Sequence, residues 1–133
     1  MPIYLDWENP EHTVVRMEFV GRWNWAEAHE RANDGYAMLE TVDHIVNMII
    51  DMSRSQGLPL LALTHARNMI PKRHPRTGLT VFVGVSSLFL SLWKTFSSAF
   101  SDSARTQEFT FAASIEEAYT FFEQNAKGTI HPA

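Results

Sequence analysis

The chain contains no cysteine. Disulfides, thiolate metal sites and a cysteine nucleophile are therefore excluded. It has little net charge: 11 Lys and Arg against 15 Asp and Glu leave −4 at neutral pH. The basic footprint of a nucleic-acid binder is missing, and no nucleic-acid partner is expected. No apolar run approaches the roughly 18 residues of a membrane span, so no transmembrane segment is expected. The first residues lack a basic stretch followed by an apolar one, so no secretory leader is read and a cytoplasmic location is the expectation. The six histidines include no His-x-x-x-His pair, and neither a metal nor a cofactor is expected. Repeats and low-complexity segments are absent.

What is present is an ordinary apolar complement, 45% of 133 residues, enough for a core without covalent staples. One domain over residues 1–126 is expected, with 127–133 as a tail. Two short apolar runs carry the fold class. Ile45–Ile50 is closed by Asp51-Met52-Ser53, and Leu79–Val83 by Gly84-Val85-Ser86-Ser87. Runs this short and rich in β-branched residues read as strands buried on both faces. Helix-period segments after each make the chain α/β with a largely parallel core.

Ile3–Trp7 and Thr13–Val20 read as an antiparallel hairpin around Asn9-Pro10. Val15, Met17 and Phe19 fall on one side of the second strand, and Val14, Arg16, Glu18 and Val20 on the other. Asn24 with Glu27, and Ser114 with Glu117, have capping-box spacing and start helices. Trp25, Ala28, Ala32, Tyr36 and Leu39 form the stripe of the first helix. Gly35 inside it costs up to about 1 kcal/mol relative to alanine, so a close packing contact is expected there. Pro59 sits in the first turn of a second helix reaching Ile70, and Pro71 to Thr77 is loop. A serine-capped helix spans Ser87 to Phe100, a short strand Glu108–Phe111, and a last helix follows Ser114. The expectation is a mixed sheet of about five strands packed with about four helices.

This order resembles the STAS domain family, the fold of anti-sigma-factor antagonists, over about residues 12–126. Ile49-Ile50-Asp51-Met52-Ser53 looks like that family's strand ending in Asp-Leu-Ser. Ser55-Gln56-Gly57-Leu58 looks like its Ser-Ser-Gly-Leu. The resemblance implies a non-enzymatic module that docks a partner protein or a small ligand. In such antagonists the serine before the glycine is phosphorylated. Gln56 stands at that position, and glutamine takes no phosphate.

Three regions are candidates for function. The first is a crevice at the carboxyl ends of the third and fourth strands, where open α/β sheets gather ligands. There Asp51, Ser53, Arg54 and Ser55 face Ser86 and Ser87 across two strand-to-helix junctions, placed to bind a small anion. The bland alternative is that these residues cap turns and helices. The second is the helix around Trp93. Leu88, Phe89, Leu90, Leu92, Trp93, Phe96, Ala99 and Phe100 leave it apolar nearly all round, more than one core stripe can bury, and Phe89, Leu92, Trp93, Phe96 and Phe100 are the expected interface. A homodimer interface is the simplest cover, with a partner groove or lipid pocket as the alternative. The third is the basic run Arg67, Lys72, Arg73, His74 and Arg76, read as a solvated loop at the opposite edge from the crevice. A Ser53–His65–Asp51 triad can be written but has no supporting nucleophile elbow. The tryptophans read as core or interface anchors. The functional expectation is a regulatory or binding module acting through protein contacts, with a small-molecule or lipid carrier or an enzyme in the crevice as the alternative.

Overall fold

The computed structural model describes residues 2–57, 59, 61–69, 73–99 and 109–126. In chain order they form β1 (Ile3–Trp7), β2 (Val14–Gly21), α1 (Trp25–Leu39), β3 (Val46–Ser55), α2 (Ala62–Met69), β4 (Thr77–Val83), α3 (Ser87–Ala99), β5 (Phe109–Ala112) and α4 (Ile115–Ala126). The α/β class and the order of elements are as expected. The strands lie in one sheet in the order β1-β2-β3-β4-β5. β1 is antiparallel to β2, and the remaining pairs are parallel. The expected tail at 127–133 and the end of the apolar helix at Phe100 lie outside the described residues.

Each parallel step moves one place in the same direction. Right-handed crossovers then put every intervening helix on one face of the sheet. Accordingly α1, α2 and α3 share a face, and α4, which follows the last strand, covers the other. The pleat sorts the side chains. Val14, Ile49, Leu79, Val81, Val83 and Ala112 pack against Ala118 and Phe122 of α4. Ile3, Met17, Phe19 and Met52 face the opposite way, toward Trp23 and Ala28, and Val15 and Val46 meet Leu39. Val14 on one face and Val15, Met17 and Phe19 on the other agree with the two-sided reading of β2.

The helix starts follow local hydrogen bonds. The Asn24 side chain accepts from the Glu27 N–H at 2.8 Å. The Ser114 hydroxyl accepts from the Glu117 N–H, and the Glu117 carboxylate accepts from the Ala113 N–H, both at 3.1 Å. Ser86 caps α3 by accepting from the Phe89 N–H at 3.1 Å, so the cap falls one residue before the helix. β3 departs from expectation. It runs on from Ile50 to Ser55 because Asp51, Arg54 and Ser55 pair with Glu18, Val20 and Gly21 of β2.

Gly35 also departs from expectation. A Cβ there would meet only the methyl groups of Leu5, at 3.8 and 4.0 Å, an ordinary contact. Gly35→Ala should therefore stabilise the protein by about 0.5–1 kcal/mol through helix propensity and reduced unfolded-state entropy. The measurement is the urea unfolding midpoint. A fall in that midpoint would mean that α1 needs the closer approach after all.

Candidate functional site

The expected crevice does not form. Ligand crevices in open α/β sheets open where strand order reverses and successive helices part to opposite faces. Here the order never reverses, and α2 and α3 leave the sheet toward the same side. The two junctions instead press together: a Cβ on Gly84 would lie 2.6 Å from the Cβ of Ser53.

The residues expected to line that crevice have other partners. Asp51 is 2% exposed and lies on the α4 face. It accepts 2.6 and 3.0 Å hydrogen bonds from the Ser53 hydroxyl and backbone N–H, and a 2.8 Å bond from Arg16. Burial opposes the charge on its carboxyl. The Ser53 and Arg16 hydrogen bonds and the Arg16 charge outweigh that and hold its pKa below the ordinary value. Arg16 also reaches Glu18 at 3.1 Å and Glu8 at 3.8 Å, and Arg54 reaches Glu18 at 3.8 Å. Tyr119 of α4 donates to Glu8 at 3.2 Å. Burial and then the Glu8 charge push its hydroxyl up to about 12. Ser55 accepts from the Trp23 indole N–H at 2.8 Å and donates to the Gly57 carbonyl at 2.9 Å. Ser86 is a helix cap, and Ser87 is the exposed first residue of α3. Asp51, Ser53, Ser55 and Ser86 are engaged in structural hydrogen bonds, and none of the six residues lines either cavity. The written triad also fails. Asp51 and Ser53 face α4, whereas His65 on α2 bonds His29 at 2.8 Å and stacks on Trp25 across the sheet.

Space of ligand size lies on the α1–α3 face. A cavity of about 290 Å³ separates the sheet from the helices. Its floor is Met17, Phe19, Met48, Ile50, Met52, Thr80 and Phe82, and its roof includes Ala28, Ala32, Gly35 and Tyr36 of α1. The roof explains the void. α1 presents small side chains to the middle of the floor, while large rings elsewhere hold the helices off it. Phe89 and Trp93 of α3 pack on Phe82 at 5.1 and 5.8 Å between ring centroids, and Trp25 stacks on His65.

Two expectations change here. Phe89, Leu92 and Trp93 line this cavity and do not form an outward face. Among the described residues of α3, Leu88 and Leu90 are the exposed large apolar ones, 61% and 37% exposed. The Phe96 side chain and Phe100 lie outside the described residues. In the basic run, Arg73 and His74 are not in a solvated loop. Arg73 donates at 2.9 Å to both the Gly78 carbonyl and the Thr80 hydroxyl, and its guanidinium lies 4.5 Å over the Phe109 ring. His74 is 6% exposed, and its Nδ1 accepts from the Arg76 N–H at 3.0 Å. Arg76 reaches the Leu39 carbonyl at 3.3 Å. Arg73 and His74 both line the cavity. Lys72 and the Arg67 side chain lie outside the described residues.

Met17, Met48, Ile50 and Thr80 escaped the sequence reading as site residues. The available signal was the run of small residues on α1 above a strand set rich in methionine, a flexible side chain that fills irregular space. Among the described residues, no three of His, Asp and Glu stand together as metal ligands, and no helix is long and apolar enough to cross a membrane.

Comparisons with known proteins bear on the fold. No family model matches the chain, and no curated protein matches it. A solved structure from Shewanella loihica PV-4, an uncharacterized protein from the DUF3478 family with a SpoIIAA-like fold, is similar with a TM-score of 0.61. The similarity covers 90% of each chain at 15% identity. With the strand order and crossovers above, the chain has a STAS-like domain of SpoIIAA-like fold.

Proposed function

We propose that this protein is a binding module that holds a small, largely apolar molecule between the sheet and α1–α3. The observation that carries the reading is the cavity of about 290 Å³ with its methionine- and aromatic-rich walls and few polar groups. Small-molecule sites have this composition and start near this size, at about 300 Å³. An empty apolar cavity costs stability in proportion to its volume, and a ligand that binds only the folded state recovers it.

The test is native mass spectrometry of the protein from its own host, followed by titration with a neutral N-phenylnaphthylamine fluorophore. Ala32 lines the cavity from α1, so Ala32→Phe should fill part of it. Fluorophore affinity should fall at least tenfold while the melting temperature holds or rises. Equal binding by the variant, or none by the wild type, would refute the reading.

A second reading, a regulatory module that works through protein contacts as a homodimer, is favoured by exposed Leu88 and Leu90 on α3. The same mass spectrum separates the two. A dimer without added mass supports the second, and a monomer carrying a small molecule supports the first.

A further inference from the structure

We infer that the cavity's ligand is a single unbranched carbon chain, on the order of ten carbons long, lying along α1. This rests on the cavity being a ligand site and specifies the shape of its occupant. Polar side chains do not mark out one end of the wall: His29 and Asn33 come from α1, Arg73 from the loop before β4, and Thr80 from β4 itself. The hollow is distinguished by its shape.

The cavity is long for its volume. A ball of about 290 Å³ would be about 8 Å across, the rise of one and a half helical turns. Yet Trp25 and Leu39, the first and last residues of α1, both line the cavity, and they lie roughly 20 Å apart along the helix. Between them Ala28, Ala32 and Gly35 follow at four and three residues and fall in one line on the helix. That line is about 10 Å long and one side chain wide, with a large side chain at each end. At about 30 Å³ per heavy atom, the share of a water, the volume admits roughly ten atoms. Ten atoms strung along the line fill it; ten atoms gathered into a ball do not.

The walls also suit a flexible chain. Beneath α1 the floor is methionine: Met17 and Met52 pack with Ala28, and Met48 packs at the Leu39 end. Methionine is unbranched and adapts its shape, so it follows a chain and gives a ring no fixed plane. The fixed rings lie on the α3 side, where Phe82 is already packed by Phe89, Trp93 and Phe109. A plate or a ball would have to part those rings or lift α1 from the sheet.

The experiment is displacement of the neutral fluorophore from the full chain by the primary alcohols from hexanol to tetradecanol. 1-Adamantanol and 1-naphthol hold the carbon count of decanol in a ball and a plate. Affinity should rise about fourfold per added methylene and stop rising near decanol, where the end walls are met. Relative to its own partition into octanol, each ring alcohol should bind at least tenfold more weakly than decanol. Ala32→Leu blocks the middle of the line, and should move the limit to shorter alcohols while hexanol binds as before. A steady rise through tetradecanol, or ring alcohols binding as well as decanol on that scale, would overturn the chain and leave the cavity reading intact. A limit that Ala32→Leu does not move would overturn its placement along α1. If neither the fluorophore nor any alcohol binds, the cavity reading falls and this inference with it. If Ala32→Leu loses hexanol too, the variant has lost its site, and the limit and the ring alcohols in the wild type decide.

Discussion

Gly84→Ala should destabilise the protein by about 2–5 kcal/mol. Two costs add. Gly84 sits at φ +71°, in the left-handed region, where an L side chain costs about 1–2 kcal/mol. Its Cβ would also lie 2.6 Å from Ser53 Cβ and 2.7 Å from Ser53 Cα. The latter is strand backbone, which cannot rotate away, and overpacking of that kind costs about 1–3 kcal/mol. Gly21 supplies the control. It has φ +64° and nothing within 4 Å of its would-be Cβ. Gly21→Ala should therefore show the dihedral cost alone. Urea unfolding of both variants measures the difference. Equal losses would mean that the approach of Gly84 to β3 carries no weight.

Asp51→Asn should cost about 1.5–3 kcal/mol at neutral pH, the range for a charge-assisted hydrogen bond removed from a buried group. The amide still accepts from Ser53, so what is lost is the charge facing Arg16 at 2.8 Å. The pH dependence has a definite sign. The folded pKa of Asp51 is lowered from 3.8, so the folded state binds its proton less readily than the unfolded state does. The stabilisation is fully present above the unfolded value and is lost as pH falls through the folded one. Wild type and variant should therefore differ most between about pH 5 and pH 8 and converge in acid. Denaturant melts from pH 7 down to about pH 3 measure this. A gap that stays constant across that range would show that the carboxylate charge contributes nothing.

How far the sequence could be read depended on the range of the interaction. Caps are local, and Asn24 and Ser114 were legible from capping-box spacing alone, whereas Ser86 was legible only as one of two serines before an apolar run. β1 has the expected bounds because its alternation is complete within Ile3–Trp7. β3 was cut short at Ile50 because Asp51-Met52-Ser53 has turn chemistry, and the partner that satisfies Asp51, Arg16, lies 35 residues earlier. No local pattern reports such a pairing. The apolar helix drew attention to Phe89, Leu92 and Trp93, which do line the cavity. Periodicity, however, fixes only which residues share a face. It gives no measure of how far that face stands from the sheet, so a void could not be told from a partner. Arg73 and His74 were legible as a basic run but not as cavity wall. Their placement depends on Phe109 and Thr80, which the chain reaches only later.

The sheet divides the molecule into a filled half and a hollow half. On the α4 side, Ile49, Val81 and Ala118 are fully buried and closely packed. On the α1–α3 side, small residues on the helix leave the space. Substitutions on opposite faces of a sheet share few contacts, and their effects add almost independently. Mutational drift in the roof can therefore alter the shape and chemistry of the hollow while the packing that secures the fold is left untouched. The hollow of this chain has room to diverge in shape long before the fold does.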